Sequence, residues 1–216
     1  MQLFYSLCKY DHLYLMERYH KQFLSQLSST DKILHTIVNQ QGPILLPYTD
    51  SPFRHLIRII VGQQLNTKVA TTIYKRVENH VGIGYLPADI TETKDEEFRV
   101  LGLSKSKTTY IKAVADAAGF EEQNFEALEK LSDEDVIKQL ITIHGIGKWS
   151  AQMFLMFQLK RPDVFAPGDF GLRKSMSILY GYSIEEKEQF WGEIASDWSP
   201  YRTLASLHLW KYLDEK

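Results

Sequence analysis

With a single cysteine, Cys8, in 216 residues, the chain cannot close an intrachain disulfide, a four-thiolate zinc site or an iron–sulfur cluster. It has no apolar run near the roughly 20 residues needed to span a bilayer. The opening Met1-Gln2-Leu3-Phe4 lacks a basic stretch and a small-residue cleavage site. An intracellular chain is expected, cytoplasmic in a bacterium or nuclear in a eukaryote, with no membrane partner. Excess charge is also missing: a formal net charge of -2 and a pI near 6.4 argue against a protein that grips polyanions with its whole surface. Alternating polar and apolar runs bounded by hairpin turns are absent, so no strand is predicted.

What remains is an ordinary globular composition, 44% hydrophobic and 24% charged, enough for one sizeable core or two small lobes. The charges are clustered. Residues 51–80 carry Arg54, Arg58, Lys68, Lys75 and Arg76 against Glu78, a local +4, whereas residues 121–135 set seven carboxylates against Lys130. Residues 141–180 return to +3, with Lys148, Lys160, Arg161, Arg173 and Lys174 against Asp163 and Asp169. Such runs serve as solvated helix faces or as local basic patches.

Periodicity and punctuation predict helices almost throughout. Ser51-Pro52 supplies a cap and an N1 proline before the stripe Phe53, Leu56, Ile57, Ile60 and Val61. Asn66, Asn124 and Ser132 can each open a helix, Thr93 with Glu96 and Ser183 with Glu186 fit capping boxes, and Gly102 suits a left-handed C-terminal position. The spacing of Tyr and Leu in residues 1–27 leans helical. The expected architecture is all-α, about ten helices, one compact bilobal domain over residues 1–216, with the joint between lobes in the loop from Gln41 to Asp50.

Two segments depart from plain core building. In the first, Leu140-Ile141-Thr142-Ile143-His144-Gly145-Ile146-Gly147-Lys148-Trp149-Ser150-Ala151, a helix from about residue 133 ends in a Gly-Ile-Gly turn that leads into another helix, to about residue 160. Two glycines free the backbone to present successive N–H groups at the positive end of the second helix, which suits a phosphate and is blind to base identity. The same spacing also serves as a plain tight connection. In the second, Val164-Phe165-Ala166-Pro167-Gly168-Asp169-Phe170-Gly171-Leu172-Arg173-Lys174, Asp169 falls at a helix N-terminus. It is either a simple N-cap or a carboxylate held ionised by the helix end and aimed into a cleft.

Together these segments, in this order and spacing, resemble the signature of the helix-hairpin-helix DNA glycosylases, the Gly/Pro…Asp superfamily, and most closely its 3-methyladenine DNA glycosylase II branch in compact form. The likeness runs from about Ser51 to Trp210, with its central motif over about 51–174. It includes Ile59-Ile60-Val61-Gly62-Gln63-Gln64-Leu65, Leu101-Gly102-Leu103-Ser104 with Lys107 and Tyr110, Trp198-Ser199-Pro200-Tyr201-Arg202, and Leu209-Trp210. The β-rich N-terminal domain of larger bacterial members is not in this sequence.

The resemblance implies Asp169 as the catalytic aspartate and a phosphate gripped by the N–H groups of Gly145 and Gly147 with Lys148. It implies Gln64 as the side chain pushed into the duplex, Asn66 at the minor groove, and an aromatic base pocket of Trp149 and Trp210 with Met153. His144 stands where relatives carry Pro or Lys; it is grouped with the DNA-binding set, although a solvated histidine suits it better. Family hairpins also recruit a monovalent cation at their backbone, while no other metal and no cofactor are expected. Bifunctional members carry a Schiff-base lysine two places after the second hairpin glycine, and that place here is Trp149. The implied activity is monofunctional release of alkylated purines, 3-methyladenine and 7-methylguanine, from double-stranded DNA by a monomer. A non-catalytic hairpin module that only holds DNA is the alternative, and Asp169 discriminates the two.

Overall fold

The computed structural model describes residues 18–46, 51–118 and 125–216. In chain order the helices are α1 (residues 18–30), α2 (Lys32–Gln41), α3 (Pro52–Gly62), α4 (Thr67–Val81), α5 (Pro87–Glu92), α6 (Asp95–Leu101), α7 (Lys105–Ala118), a 3-10 turn (Phe125–Lys130), α8 (Asp133–Leu140), α9 (Lys148–Phe157), α10 (Phe170–Tyr180), α11 (Glu188–Ser196) and α12 (Arg202–Asp214). No strand occurs among the described residues, and none of their helices is long and apolar enough to cross a membrane. The chain divides into two compact units, Met1–Pro47 with Lys160–Lys216, and Tyr48–Leu159.

The second unit is built on α3. Ser51 Oγ accepts the Arg54 N–H, Pro52 takes the first helical position, and Phe53, Leu56, Ile57, Ile60 and Val61 are buried. Burying such a stripe contributes roughly 1.5–3 kcal/mol per large side chain. Helices α4, α7 and α9 pack on it. Asn66 caps α4 through Val69 N, Ser132 caps α8 through Asp135 N, and Gly102 is left-handed at φ 107 after α6, as the sequence predicts.

Two expected capping boxes are replaced by other geometry. Thr93 does not open α6: its hydroxyl donates back to Asp89 O at 2.6 Å and closes α5. The helix therefore starts one residue later, with Glu97 accepting the Lys94 N–H at 3.2 Å. Ser183 holds a turn, accepting the Glu185 N–H at 3.2 Å, and α11 begins only after Lys187. Asn124 and residues 1–17 lie outside the described residues, while residues 18–27 are helical as expected.

The first unit is organised around α12. Its residues from Thr203 to Leu209 are all buried, as befits a central helix rather than an amphipathic surface one. Helices α10 and α2 pack on it. Asp31 ties three elements together: its Oδ1 caps α2 through Leu34 N at 2.9 Å, and its Oδ2 accepts from Tyr180 Oη at 2.6 Å and Trp198 Nε1 at 3.0 Å. Arg202 grips Asp163 with two guanidinium nitrogens, at 2.7 and 3.0 Å. Burial pushes the Asp163 carboxyl upward, but these bonds and one from Ser199 outweigh it and leave the group below its ordinary value.

A buried pair of imidazoles, His20 on α1 and His208 on α12, lies with ring centroids 5.8 Å apart. His208 Nδ1 meets the Gln41 amide at 2.7 Å. Burial, then the neighbouring His20 and Lys211, pushes His208 down to about 3; burial also lowers His20. An unfolded histidine takes up its proton near pH 6.5, while the folded His208 refuses it until about pH 3. The stability this neutral imidazole supplies is full above pH 6.5 and drains away as pH falls toward 3. Urea unfolding at pH 5 should give a free energy about 2 kcal/mol below that at pH 7.5 from His208 alone. His208→Gln should lose about 2 kcal/mol of this pH dependence; an unchanged acid slope in that variant would contradict the assignment.

Candidate functional site

The hairpin lies entirely in the second unit. Helix α8 ends at Leu140, and two isoleucines, Ile143 and Ile146, are buried at 5% exposure each and pin the turn to the core. Backbone bonds Ile143 N–H to Leu140 O (3.1 Å) and Ile146 N–H to Ile143 O (3.0 Å) wind the turn. Gly145 has φ 92, and a Cβ there would collide with Cβ, Cγ and Cδ1 of Tyr110. Tyr110 also meets His144 edge to face at 5.0 Å.

Gly147 differs. It sits in extended backbone at the N-cap of α9, exposed, and a Cβ on it would meet nothing within 4 Å. The protein itself does not need glycine there, so the residue keeps the first-turn N–H groups of α9 open to close approach from outside. Lys148 and His144 are exposed beside it.

Next to the hairpin runs the segment Gly62-Gln63-Gln64-Leu65. The Leu65 N–H donates to Gly62 O at 3.1 Å, Gln63 has φ -50 and ψ 131, and Gln64 has φ 58. This is a type II turn whose third position, normally glycine or asparagine, carries an exposed glutamine. Holding a non-glycine residue in that conformation costs on the order of 1 kcal/mol, a strain that concentrates at functional sites. Gln63 points the other way: its amide donates to Gly145 O and Ser150 Oγ, both at 3.0 Å. Lys107 Nζ donates to Val61 O (2.8 Å) and Gln63 O (2.7 Å), and burial lowers its pKa. The Gln63–Gln64 turn, the first turn of α7 with Ser104, Ser106 and Lys107, and Gly145–Gly147 enclose a polar groove of ≈ 520 Å³. Asn66 is exposed, its Oδ1 occupied by capping Val69 N at 3.0 Å. Trp149 is half-buried at the second position of α9, and Met153 is 5% exposed one turn on.

The first unit holds Asp169. It is the N-cap of α10, and its Oδ1 accepts two hydrogen bonds, from Leu172 N at 2.8 Å and Trp210 Nε1 at 2.9 Å. The N-cap reading of this residue is met, and the same carboxylate is oriented by a half-buried indole on α12. Gly171 makes room for the arrangement, since a Cβ there would stand 3.1 Å from Trp210 Cδ1 and 3.2 Å from Asp169 Oδ1. Phe170, beside Asp169, is 61% exposed. The resemblance implies Trp210 as pocket lining; what the structure shows is its indole N–H donating to the aspartate.

Sequence reading gave no role to Gln63, Lys107, Tyr110 and Gly171. The one local signal was the spacing of Lys107 and Tyr110, three residues apart on α7 and hence on one face. Among the described residues no group of three or more His, Cys, Asp or Glu is arranged for a metal. A monovalent cation at the hairpin would need carbonyl oxygens instead, and Ile143 O and Gly145 O accept bonds from Ile146 N and Gln63 Nε2.

Residues 57–200 match the model of the HhH-GPD superfamily of base excision DNA repair proteins. The DNA-3-methyladenine glycosylase 1 of Schizosaccharomyces pombe is 31% identical over 193 residues, covering 87% of this chain and 84% of the relative. Among solved structures, a DNA-3-methyladenine glycosidase from Bacillus halodurans is 36% identical with a TM-score of 0.72, each chain covered to 88%. A 3-methyladenine DNA glycosylase from Schizosaccharomyces pombe in complex with abasic DNA is 28% identical with a TM-score of 0.76, covering 88% of this chain and 95% of that one.

Proposed function

Because the chain belongs to the HhH-GPD superfamily of base excision DNA repair proteins, we propose that it is a monofunctional DNA glycosylase that releases alkylated purines, 3-methyladenine and 7-methylguanine, from double-stranded DNA. The observation that carries the catalytic part is the Asp169 carboxylate fixed by the Trp210 indole and the start of α10. A module that only held DNA could cap α10 with a neutral Asn or Ser and would have no use for a negative charge that repels phosphates.

In this reading residues 1–216 act as one intracellular, monomeric enzyme. The hairpin N–H groups of Gly145, Gly147 and the α9 start, with Lys148, hold a phosphate, and a monovalent cation on the turn carbonyls would add positive potential there. His144 stands at the edge of this grip, exposed and edge to face with Tyr110. Gln64 enters the stack where the damaged nucleotide leaves, and the Asn66 amide reads the minor-groove edge. Extrusion costs a few kcal/mol, less for a damaged pair, and the phosphate and wedge contacts offset it.

The extruded purine, alkylated at N3 or N7, carries positive charge, and the aromatic residues assigned to bind it, Trp149 and Trp210, attract such a cation by about 0.5–2 kcal/mol per well-placed ring; Met153 is the further residue assigned to the base. Such a base departs with the electrons of the C1′–N bond and little acid help. The deoxyribose is left as an oxocarbenium-like cation, which the Asp169 carboxylate stabilises while it orients the attacking water and takes its proton.

The chain should release 3-methyladenine and 7-methylguanine from methylated duplex and leave the abasic strand uncut. Borohydride should trap no covalent DNA adduct. Strand cleavage with trapping, at Lys148 or at Lys160, whose amine burial pushes down to about 8, would contradict the monofunctional reading. Failure to release either base would contradict the lesion class.

A further inference from the structure

We infer that Lys107 is a positioning residue that sets the conformation of Gln64 by locking the peptide between Gln63 and Gln64. The inference rests on the reading of Gln64 as the wedge and names the device that aims it. A four-residue turn from Gly62 to Leu65 has two related forms, type I and type II, which differ by rotation of the central peptide. In type I the third residue has negative φ, which suits glutamine. In type II its φ is positive, which suits glycine. Left to local preference, Gln64 would therefore turn the central peptide over and take the type I form.

The structure holds the disfavoured form, with Gln64 at φ 58, and the central carbonyl is Gln63 O. That oxygen accepts from Lys107 Nζ at 2.7 Å. The same ammonium is anchored on Val61 O at 2.8 Å, in the last turn of α3, where exposed carbonyls attract a cation. Turning the peptide over would swing Gln63 O away and leave a partly buried ammonium with one partner fewer. Charge-assisted bonds are the stronger kind, and the loss exceeds the strain on one glutamine. A second hold acts from the side chain: Gln63 Nε2 on Gly145 O and Ser150 Oγ joins the turn to the hairpin.

Lys107 itself is fixed by its place in the first turn of α7, where its N–H donates to Ser104 Oγ at 3.2 Å. Tyr110, one turn on, fills the space over Gly145. One face of α7 thus supports the wedge turn and the phosphate-gripping turn together, so both are in place before DNA arrives.

The test combines Lys107→Met, Lys107→Arg and Gln64→Ala. Excision from a duplex containing one 7-methylguanine is measured under single-turnover conditions, with 2-aminopurine beside the lesion to report unstacking. Lys107→Met should lower the excision rate about tenfold and suppress the fluorescence rise. In a Gln64→Ala background it should change the rate less than about twofold, because a lock without its wedge has nothing to aim. Lys107→Arg, which keeps a cation over the two carbonyls, should restore most of the rate. An equal fold-loss in both backgrounds overturns the lock and leaves the wedge standing. Full activity and unstacking by Gln64→Ala removes the wedge instead, and a stability measurement then decides the lock alone. Gln64→Gly should raise the melting midpoint of the native chain, since glycine accepts the turn without strain, and should not raise that of Lys107→Met. An equal rise in both overturns the lock.

Discussion

Asp169→Asn should slow release of 3-methyladenine by about 10²–10³-fold or more, the range seen when a preorganised electrostatic partner of the transition state is removed. The substitution isolates charge from structure. Asparagine is as good an N-cap as aspartate, so its Oδ1 can still accept the Leu172 N–H, and the same oxygen can still accept the Trp210 indole N–H. Helix α10 and the melting temperature should therefore be preserved, as should affinity for duplex containing an abasic site. What disappears is the negative charge that the proposed mechanism sets against the electron-poor sugar. Retained turnover would take Asp169 out of its role, and joint loss of folding and activity would show that its cap was the larger part.

The second large effect separates the two hairpin glycines. Gly145→Ala meets two penalties: φ 92 is a region L side chains rarely adopt, and the new methyl collides with Cβ, Cγ and Cδ1 of Tyr110. Overpacking costs about 1–3 kcal/mol and a non-glycine left-handed residue about 1–3 kcal/mol, so a loss on the order of 3 kcal/mol or more is expected in urea unfolding. Gly147→Ala has neither penalty, since its backbone is extended and its surroundings are open. It should leave stability within about 0.5 kcal/mol, as for other surface changes, yet weaken binding to all duplex sequences alike, with a reduced salt dependence. Equal destabilisation by both would show that the hairpin glycines serve folding only.

Features carried by neighbouring residues were legible in the sequence. The caps Ser51, Asn66 and Ser132, the left-handed Gly102, the hairpin glycines and the N-cap position of Asp169 each follow from three to five residues whose backbone preferences point one way. The misplaced box at Thr93 has a local cause too, because two helix ends compete for one side chain and the closing bond to Asp89 O wins.

Other features depend on residues brought together by folding. The Lys107 bonds to Val61 and Gln63 span more than forty positions, and the Trp210 bond to Asp169 spans 41. No propensity or spacing rule links such pairs. Gln64 carries a related lesson: its side chain type suggests nothing unusual, and only the backbone reveals that it occupies a glycine-like conformation.

The central claim is that the carboxylate at position 169 stabilises positive charge on the deoxyribose ring. It is tested most directly by binding, without reference to which base is removed. A duplex carrying a pyrrolidine nucleotide, whose ring nitrogen is protonated, mimics that cation, and a tetrahydrofuran nucleotide is its neutral counterpart. The native chain should bind the pyrrolidine duplex about 10²-fold or more tightly than the tetrahydrofuran duplex, and Asp169→Asn should bind the two equally. An undiminished preference for the cation in Asp169→Asn would contradict the account.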